Sequence, residues 1–251
     1  MSRSTIKTIL SLKMLAMFAL GFASGFPFYV VRDVLKLWLT DANIDLGTIG
    51  LFSAVALPYT WKFFWSPAMD GITPPFLGRR RGWMLITQIG LLILIAGLGQ
   101  LNPTSSLKAM AVVAFCIAVF SASQDIALDA FRREYLTDEE LGAGTGIWMN
   151  AWRLGMYGST GIAFLLSDKI GYPAVHIVLS LMMGIGIITT LLVPEPDTGV
   201  AAPRTLQEAV IEPFREFFSR GGAWWILAFI LLYKVGDNMA GAMNIPYILK
   251  M

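Results

Sequence analysis

Runs of about twenty apolar residues, separated by short polar connections, recur along the whole chain. Seven are long enough to cross a hydrocarbon layer of about 30 Å at about 1.5 Å per helical residue. They cover Met14 to Leu39, Thr48 to Met69, Gly82 to Leu101, Leu107 to Phe131, Leu141 to Leu166, Tyr172 to Val193 and Ala223 to Leu249. This predicts an all-α integral membrane protein, six spans followed by a seventh. The first run follows Arg3, Lys7 and Lys13 and contains Ala23-Ser24-Gly25, as a cleavable leader would. Its apolar character continues well past that site, so it is read as a retained span.

Composition supports the pattern: 56% of residues are hydrophobic and 14% charged, with mean hydropathy +0.64, where a soluble domain carries roughly 25% charge. The net charge of +2 is scattered and gives no nucleic-acid footprint. One cysteine, Cys116, and one histidine, His176, exclude a disulfide framework, an ordinary Cys/His metal site and a Ser-His-Asp triad. No cofactor is expected. Gly142-Ala143-Gly144-Thr145-Gly146 lacks both a preceding strand and a following Gly-Lys-Ser/Thr, so it is no phosphate loop. Gly155, Gly158 and Gly161 suit close helix packing, and His176 is expected at the interface.

Lys and Arg divide by side. With the N terminus inside, cytoplasmic segments hold Arg3, Lys7, Lys13, Arg79, Arg80, Arg81, Arg132, Arg133, Arg204, Arg215 and Arg220, and the outer loops only Lys108 and Lys169. Trp38, Trp65, Trp83, Trp224 and Trp225 fall near span ends and read as interfacial anchors. Between spans six and seven, Pro194-Glu195-Pro196-Asp197 ends a helix and Thr205-Leu206-Gln207-Glu208 has capping-box spacing. Leu206, Val210, Phe214 and Phe217 then make one face of an interfacial helix, with Pro213 expected as a kink. The organisation expected is a six-helix bundle over 1–193, a cytoplasmic linker over 194–222 and the first span of a second half over 223–251. Gly21, Ser24, Gly25 and Pro27 in span one and Gly236, Gly241 and Pro246 in span seven fit a repeat with a six-span interval.

Ionisable groups inside spans cost about 2.5–3.5 kcal/mol each even on lenient insertion scales, so a chain that keeps several usually passes something polar through itself. A transporter is therefore expected. Asp125 and Asp129 share a helix face by their i, i+4 spacing. Asp129 lies within a turn of Arg132 and Arg133 and reads as an interface ion pair. Asp125 is a turn deeper, where a carboxylate in low dielectric can take up and release a proton near neutral pH; it is the first proton candidate and Asp237 the second. Arg153, about a dozen residues into its span, is expected to face a polar cavity or a carboxylate. Lys234 could neutralise Asp237 and Lys36 could neutralise Asp33, each at i, i+3; Lys62 could snorkel past Phe64 and Trp65.

After span two come Asp70-Gly71 and then Gly78-Arg79-Arg80-Arg81-Gly82. This acid and basic cluster resembles the inter-helix signature of the major facilitator superfamily, which implies a bundle of that type and a cytoplasmic gate formed by Asp70, Gly78, Arg79, Arg80 and Arg81 with Asp129. The segments GFASGFPF, WLTDANIDLGTIGLFS, PYTWKFFWSPAMD, PPFLGRRRGW, SASQDIALDAFRREYL, WRLGMYGS and LYKVGDNMAG resemble the muropeptide permeases of the AmpG family and, more distantly, acetyl-CoA transporters. That resemblance implies proton-driven import of anhydromuropeptides across a bacterial inner membrane, serving peptidoglycan recycling and β-lactamase induction. Muropeptide carboxylates would then meet Arg32, Lys36, Arg153 and Lys234, and Gln88, Gln124, Asn150 and Asn238 could bond sugar or peptide groups.

Two departures qualify the resemblance. Arg32, Asp33 and Lys36 stand where relatives have small polar residues, and relatives are about twice as long, so a fragment or truncated product lacking its C-terminal half is expected. The partners implied are a small-molecule substrate, protons, the bilayer and that missing half. Transport of another anionic solute such as acetyl-CoA, and a non-transporting half-molecule, are the alternatives. A membrane enzyme is not expected, since no cytoplasmic loop offers a histidine base.

Overall fold

The computed structural model describes residues 11–196, 208 and 211–250, with side chains through Gly236 apart from Pro213. Arg3, Lys7, Asp197, Arg204, Thr205, Leu206, Gln207 and Val210, and the side chains of Asp237, Asn238 and Pro246, lie outside the described residues. The chain divides into two compact units, 1–202 and 203–251.

The described part of the first unit is built of helices. α1 (Leu12–Tyr29) starts at Ser11, whose hydroxyl accepts the Met14 N–H. Pro27 has no N–H to return to the previous turn, and the helix widens into a π turn, Val30–Val34, before continuing as α2 (Leu35–Asp41). The run Leu12–Asp41 is 30 residues long.

The second apolar stretch, Thr48 to Met69, is not one continuous helix. It is α3 (Leu46–Leu51), a 3₁₀ turn Phe52–Ala56, α4 (Leu57–Trp61), a 3₁₀ turn Lys62–Phe64 and α5 (Ser66–Gly71). Pro58 and Pro67 sit in the first turns of α4 and α5. A proline is tolerated there because that N–H would be unpaired anyway, so each proline begins a new short helix.

α6 (Arg79–Leu98) and α7 (Leu107–Tyr135) are continuous. α8 (Asp138–Leu192) opens on a capping box: the Thr137 hydroxyl accepts the Glu140 N–H and Glu140 Oε2 accepts the Thr137 N–H. At Gly171 it leaves helical geometry (φ 76°, ψ 158°), and Pro173 follows. Gly155 on the first arm approaches Phe22, while Gly186 on the second approaches Ala23, so both arms lie beside the same turn of α1 and the chain reverses at Gly171. The expected fifth and sixth spans are these arms. Among the described residues, Leu12–Asp41, α6, α7 and α8 are the helices long and apolar enough to cross a membrane.

α1 and the first arm of α8 meet almost backbone to backbone. A Cβ at Gly25 would fall 2.2 Å from the Trp152 carbonyl oxygen, and one at Gly155 would fall 2.4 Å from that of Phe22. Gly158 has Phe22 only at 3.9 Å and Gly161 has nothing within 4 Å, so of the three-residue glycine series Gly155 alone makes the close approach.

In the second unit, α9 (Glu212–Ser219) has Pro213 in its first turn. Pro213 therefore starts this helix where a kink was expected. Ile211, Phe214 and Phe218 are exposed along it. α10 (Ala223–Lys250) follows, with Trp224 and Trp225 exposed.

Trp38 and His176 depart from their expected interfacial places. Both are buried, with ring centroids 5.0 Å apart, and Trp38 stacks on Tyr172 at 5.3 Å. The Tyr172 hydroxyl donates to Asp41, joining the end of α2 to the turn at Gly171. Trp83 donates to the Ile72 carbonyl.

Candidate functional site

The buried apolar side chains of the first unit form two clusters. One gathers Phe26, Val34, Leu35, Leu91, Ala118 and Met183; the other gathers Met17, Leu20, Met84, Leu128, Phe131 and Val193. Between these sets each helix contributes inward polar groups among small and apolar residues: Ser24 on α1, Gln88 on α6, Ser121, Gln124 and Asp125 on α7, Thr190 near the end of α8. A polar layer thus separates two hydrophobic halves of one bundle.

Asp125 is the centre of this layer. Its Oδ1 accepts the Ser24 hydroxyl at 2.8 Å, and its Oδ2 faces the Lys62 ammonium at 3.8 Å across from the 3₁₀ turn. Lys62, expected to snorkel away, instead turns inward. Trp65 Nε1 donates to Ser123 Oγ at 3.0 Å, a second link between the broken segment and α7. The buried Ser121 Oγ and Tyr59 Oη face one another, and Gln124 is fully buried with neither amide atom bonded. Buried polar atoms of this kind are few in native proteins and mark places where water or a ligand group is accommodated. Gln88 Oε1 accepts the Thr190 hydroxyl at 2.9 Å, which holds α6 to α8, while its Nε2 is buried without a hydrogen-bond partner.

Arg153 meets no carboxylate among the described residues. Ala151, Gly155 and Ser159 turn one face of α8 against α1, and two residues from Ala151 the Arg153 side chain emerges on the opposite face, exposed. Among the described residues its guanidinium has no hydrogen bond or ion pair. Asn150, also exposed, donates to the Gly146 carbonyl of its own helix.

On the π turn, Arg32 lies over Phe28 (5.7 Å) and Tyr29 (5.5 Å). Asp33 pairs with Arg32 at 3.6 Å, not with Lys36 as expected. A cavity of about 570 Å³ is lined by Asp33, Lys36, Thr40, Tyr157, Thr160 and Phe164, among others. Its walls therefore come from the α2 end of the first run and the first arm of α8. Lys234 is exposed on α10; the Asp237 side chain lies outside the described residues.

The cytoplasmic-type charges expected after span two are brought together with acids the sequence reading did not select. Arg80 Nε donates to both Glu134 oxygens at 3.0 Å, and its Nη1 reaches Asp70 at 2.5 Å. Arg79 Nη2 is 3.6 Å from Glu134. Arg81 donates to the Thr190 and Leu191 carbonyls at the end of α8, each at 2.9 Å. Reciprocally, Glu195 accepts the Arg80 and Arg81 N–H groups at 2.7 and 2.9 Å and so caps α6 from another element. Asp129 stands apart from this cluster, paired with Arg132 at 3.0 Å.

The profile described as the Major Facilitator Superfamily matches residues 13–248. The chain is 47% identical over 232 residues to the anhydromuropeptide permease of Escherichia coli (strain K12), covering 92% of this chain and 47% of that protein. It is 40% identical over 256 residues to an uncharacterized protein of Haemophilus influenzae, covering 100% and 60%. It is 31% identical over 253 residues to the putative transporter AmpG 3 of Rickettsia prowazekii, covering 95% and 60%. The chain thus spans about half the length of the curated relatives it matches. With the profile running through nearly every helix described above, the chain belongs to the Major Facilitator Superfamily, a family of multi-pass membrane transporters and not of enzymes.

Proposed function

We propose that this chain is the N-terminal part of a proton-coupled secondary transporter that imports anhydromuropeptides across a bacterial inner membrane. The observation that carries the reading is Asp125, an ionisable group in a polar layer between two apolar clusters, with orphaned Gln124 on the same helix. Similarity to the anhydromuropeptide permease supplies the substrate class. In this reading residues 1–193 are a six-helix bundle with its N terminus in the cytoplasm, 194–222 a cytoplasmic linker and 223–251 the first helix of a second half.

Asp125 takes the proton, with Asp237 as a second carrier, and Gln124 and Asn150 bond sugar or peptide groups. Arg153, Arg32, Lys36 and Lys234 supply positive charge to the substrate's carboxylates. Arg153 supports this role by its exposure: a guanidinium with no partner in its own bundle is available to a solute. The charges of Asp70, Arg79, Arg80 and Arg81, set by the Gly78 turn, form the cytoplasmic gate, to which Asp129, paired with Arg132, adds a separate charge.

The test is uptake of labelled anhydromuropeptide into proteoliposomes under an imposed proton gradient, with acetyl-CoA as the competing solute. Gradient-driven muropeptide uptake, lost in Asp125→Asn and weakened in Arg153→Gln, is the expected result. Uptake indifferent to the gradient removes proton coupling; preference for acetyl-CoA removes the substrate.

A further inference from the structure

The stretch from Lys62 to Asp70 is tied to α7 at both of its ends. At one end Lys62 faces Asp125 at 3.8 Å; at the other Asp70 shares Arg80 with Glu134. Trp65 bonds Ser123 between them. The two strips run alongside each other: residues 62 to 70 of the broken segment lie against residues 123 to 134 of α7. The upper tie is long for a hydrogen bond, and the two charges that make it are both partly accessible, with side-chain exposures of 35% for Lys62 and 23% for Asp125. The lower tie is short and its Arg80 is buried.

The backbone at the upper tie is unusual. Lys62–Phe64 is a 3₁₀ turn between two short helices, with Trp61 (φ −95°, ψ 1°) and Trp65 (φ −108°, ψ −5°) as the flanking joints. A 3₁₀ stretch within an otherwise helical run marks a place where the chain can hinge. Lys62 is therefore the charged group of the segment least restrained by its own backbone, and its ion partner is the carboxylate to which proton uptake has been assigned.

We propose that Lys62 is the counter-charge that converts the protonation of Asp125 into movement of the 62–71 segment. With Asp125 ionised, the ammonium holds the 3₁₀ turn against α7. When a proton neutralises the carboxylate, the attraction is lost and the segment is free to pivot about its Asp70–Arg80–Glu134 end, which carries the change to the charges after span two. The groups facing Asp125 are Lys62 from the 3₁₀ turn, the Ser24 hydroxyl from α1, the Tyr59 hydroxyl from α4 and Asp129 one turn along α7. Lys62 is the one cation among them, and Asp129 has its own partner in Arg132. This inference rests on the reading of Asp125 as proton carrier.

The experiment uses the protein expressed from its gene and reconstituted in proteoliposomes, comparing Lys62→Gln, Lys62→Arg, Asp125→Asn and the double variant Lys62→Gln/Asp125→Asn. A positive charge within about 4–6 Å of a carboxylate opposes its protonation by about one pH unit or more. Lys62→Gln should therefore move the pH midpoint of uptake upward by about one unit, whereas Lys62→Arg should keep the wild-type midpoint.

At one fixed pH, amide hydrogen exchange across 57–71 should rise in Lys62→Gln and in Asp125→Asn, and no further in the double variant. The double variant carries no unpaired charge, so it reports even if a single variant is poorly folded. An unshifted midpoint in Lys62→Gln, or additive exchange in the double variant, overturns the role of Lys62 while leaving Asp125 in place. Gradient-driven uptake that survives in Asp125→Asn instead overturns the proton-carrier reading beneath it.

Discussion

Arg80 and Glu134 are joined edge to edge, the guanidinium Nε donating to both carboxylate oxygens at 3.0 Å and Nη2 standing 2.5 Å from Oε1. Residues 54 positions apart are thereby joined, with Asp70 bound at Nη1 of the same guanidinium.

Removing the acid should cost more than removing an exposed partner. Glu134→Ala leaves the buried Arg80 with Asp70 alone, and a hydrogen bond to a charged group contributes roughly 1.5–3 kcal/mol. We expect a lower Tm in detergent for Glu134→Ala. Glu216→Ala, which breaks the exposed pair with Arg220, should leave Tm within the small range of surface pairs.

Gly78 should not accept alanine. Its backbone (φ 85°, ψ −175°) lies in a region that is essentially glycine-only, costing about 1–3 kcal/mol for another residue. A Cβ there would also come within 2.6 Å of the Glu195 side chain, displacing the acid from the Arg80 and Arg81 amides. Gly78→Ala should lower Tm by more than Glu195→Gln, which keeps the space and some of the bonding. Equal losses would mean that the backbone geometry is not restrictive.

The crossing of α1 with the first arm of α8 gives a contrast between two glycines. Gly25→Ala forces a methyl to 2.2 Å from the Trp152 carbonyl, main chain that cannot swing aside, and should cost at least the roughly 1–3 kcal/mol of an overpacked core. Gly161→Ala meets nothing within 4 Å and should be tolerated. Size-exclusion chromatography in detergent should show an aggregated Gly25→Ala and a monodisperse Gly161→Ala.

Asp45 offers a pH test away from the spans. Its carboxylate caps α3 by accepting the Thr48 N–H at 2.9 Å, and these Thr48 bonds hold its pKa below the ordinary 3.8. A depressed folded-state pKa stabilises the fold above the unfolded value and is lost as pH falls through the folded one. Asp45→Asn should thus lower Tm slightly at neutral pH, and the difference should vanish well below pH 3.8. A difference unchanged at low pH would mean the cap works without its charge.

Span positions were legible because their cause is local: a length of apolar chain suffices to announce a helix. The same counting could not report that Pro58 and Pro67 restart the helix, since a proline's effect depends on its register within the turn. Asp70 and Arg80 were legible from spacing, whereas Glu134 and Glu195 were not. Their partners lie 54 and 115 positions away, and no periodicity encodes such pairing. The exposure of Arg153 was not legible from its depth, because depth along a span says nothing of facing; that is decided by the small residues Ala151, Gly155 and Ser159 on the face packed against α1. Lys62 was misjudged for the same reason.

Helices that touch through their main chains leave no side-chain layer to shear. Gly25 against Trp152 and Gly155 against Phe22 make α1 and the first arm of α8 a single stiff strut. Any rocking of this unit must carry the two together, and the compliance must be found elsewhere, in the interrupted coils of 46–71.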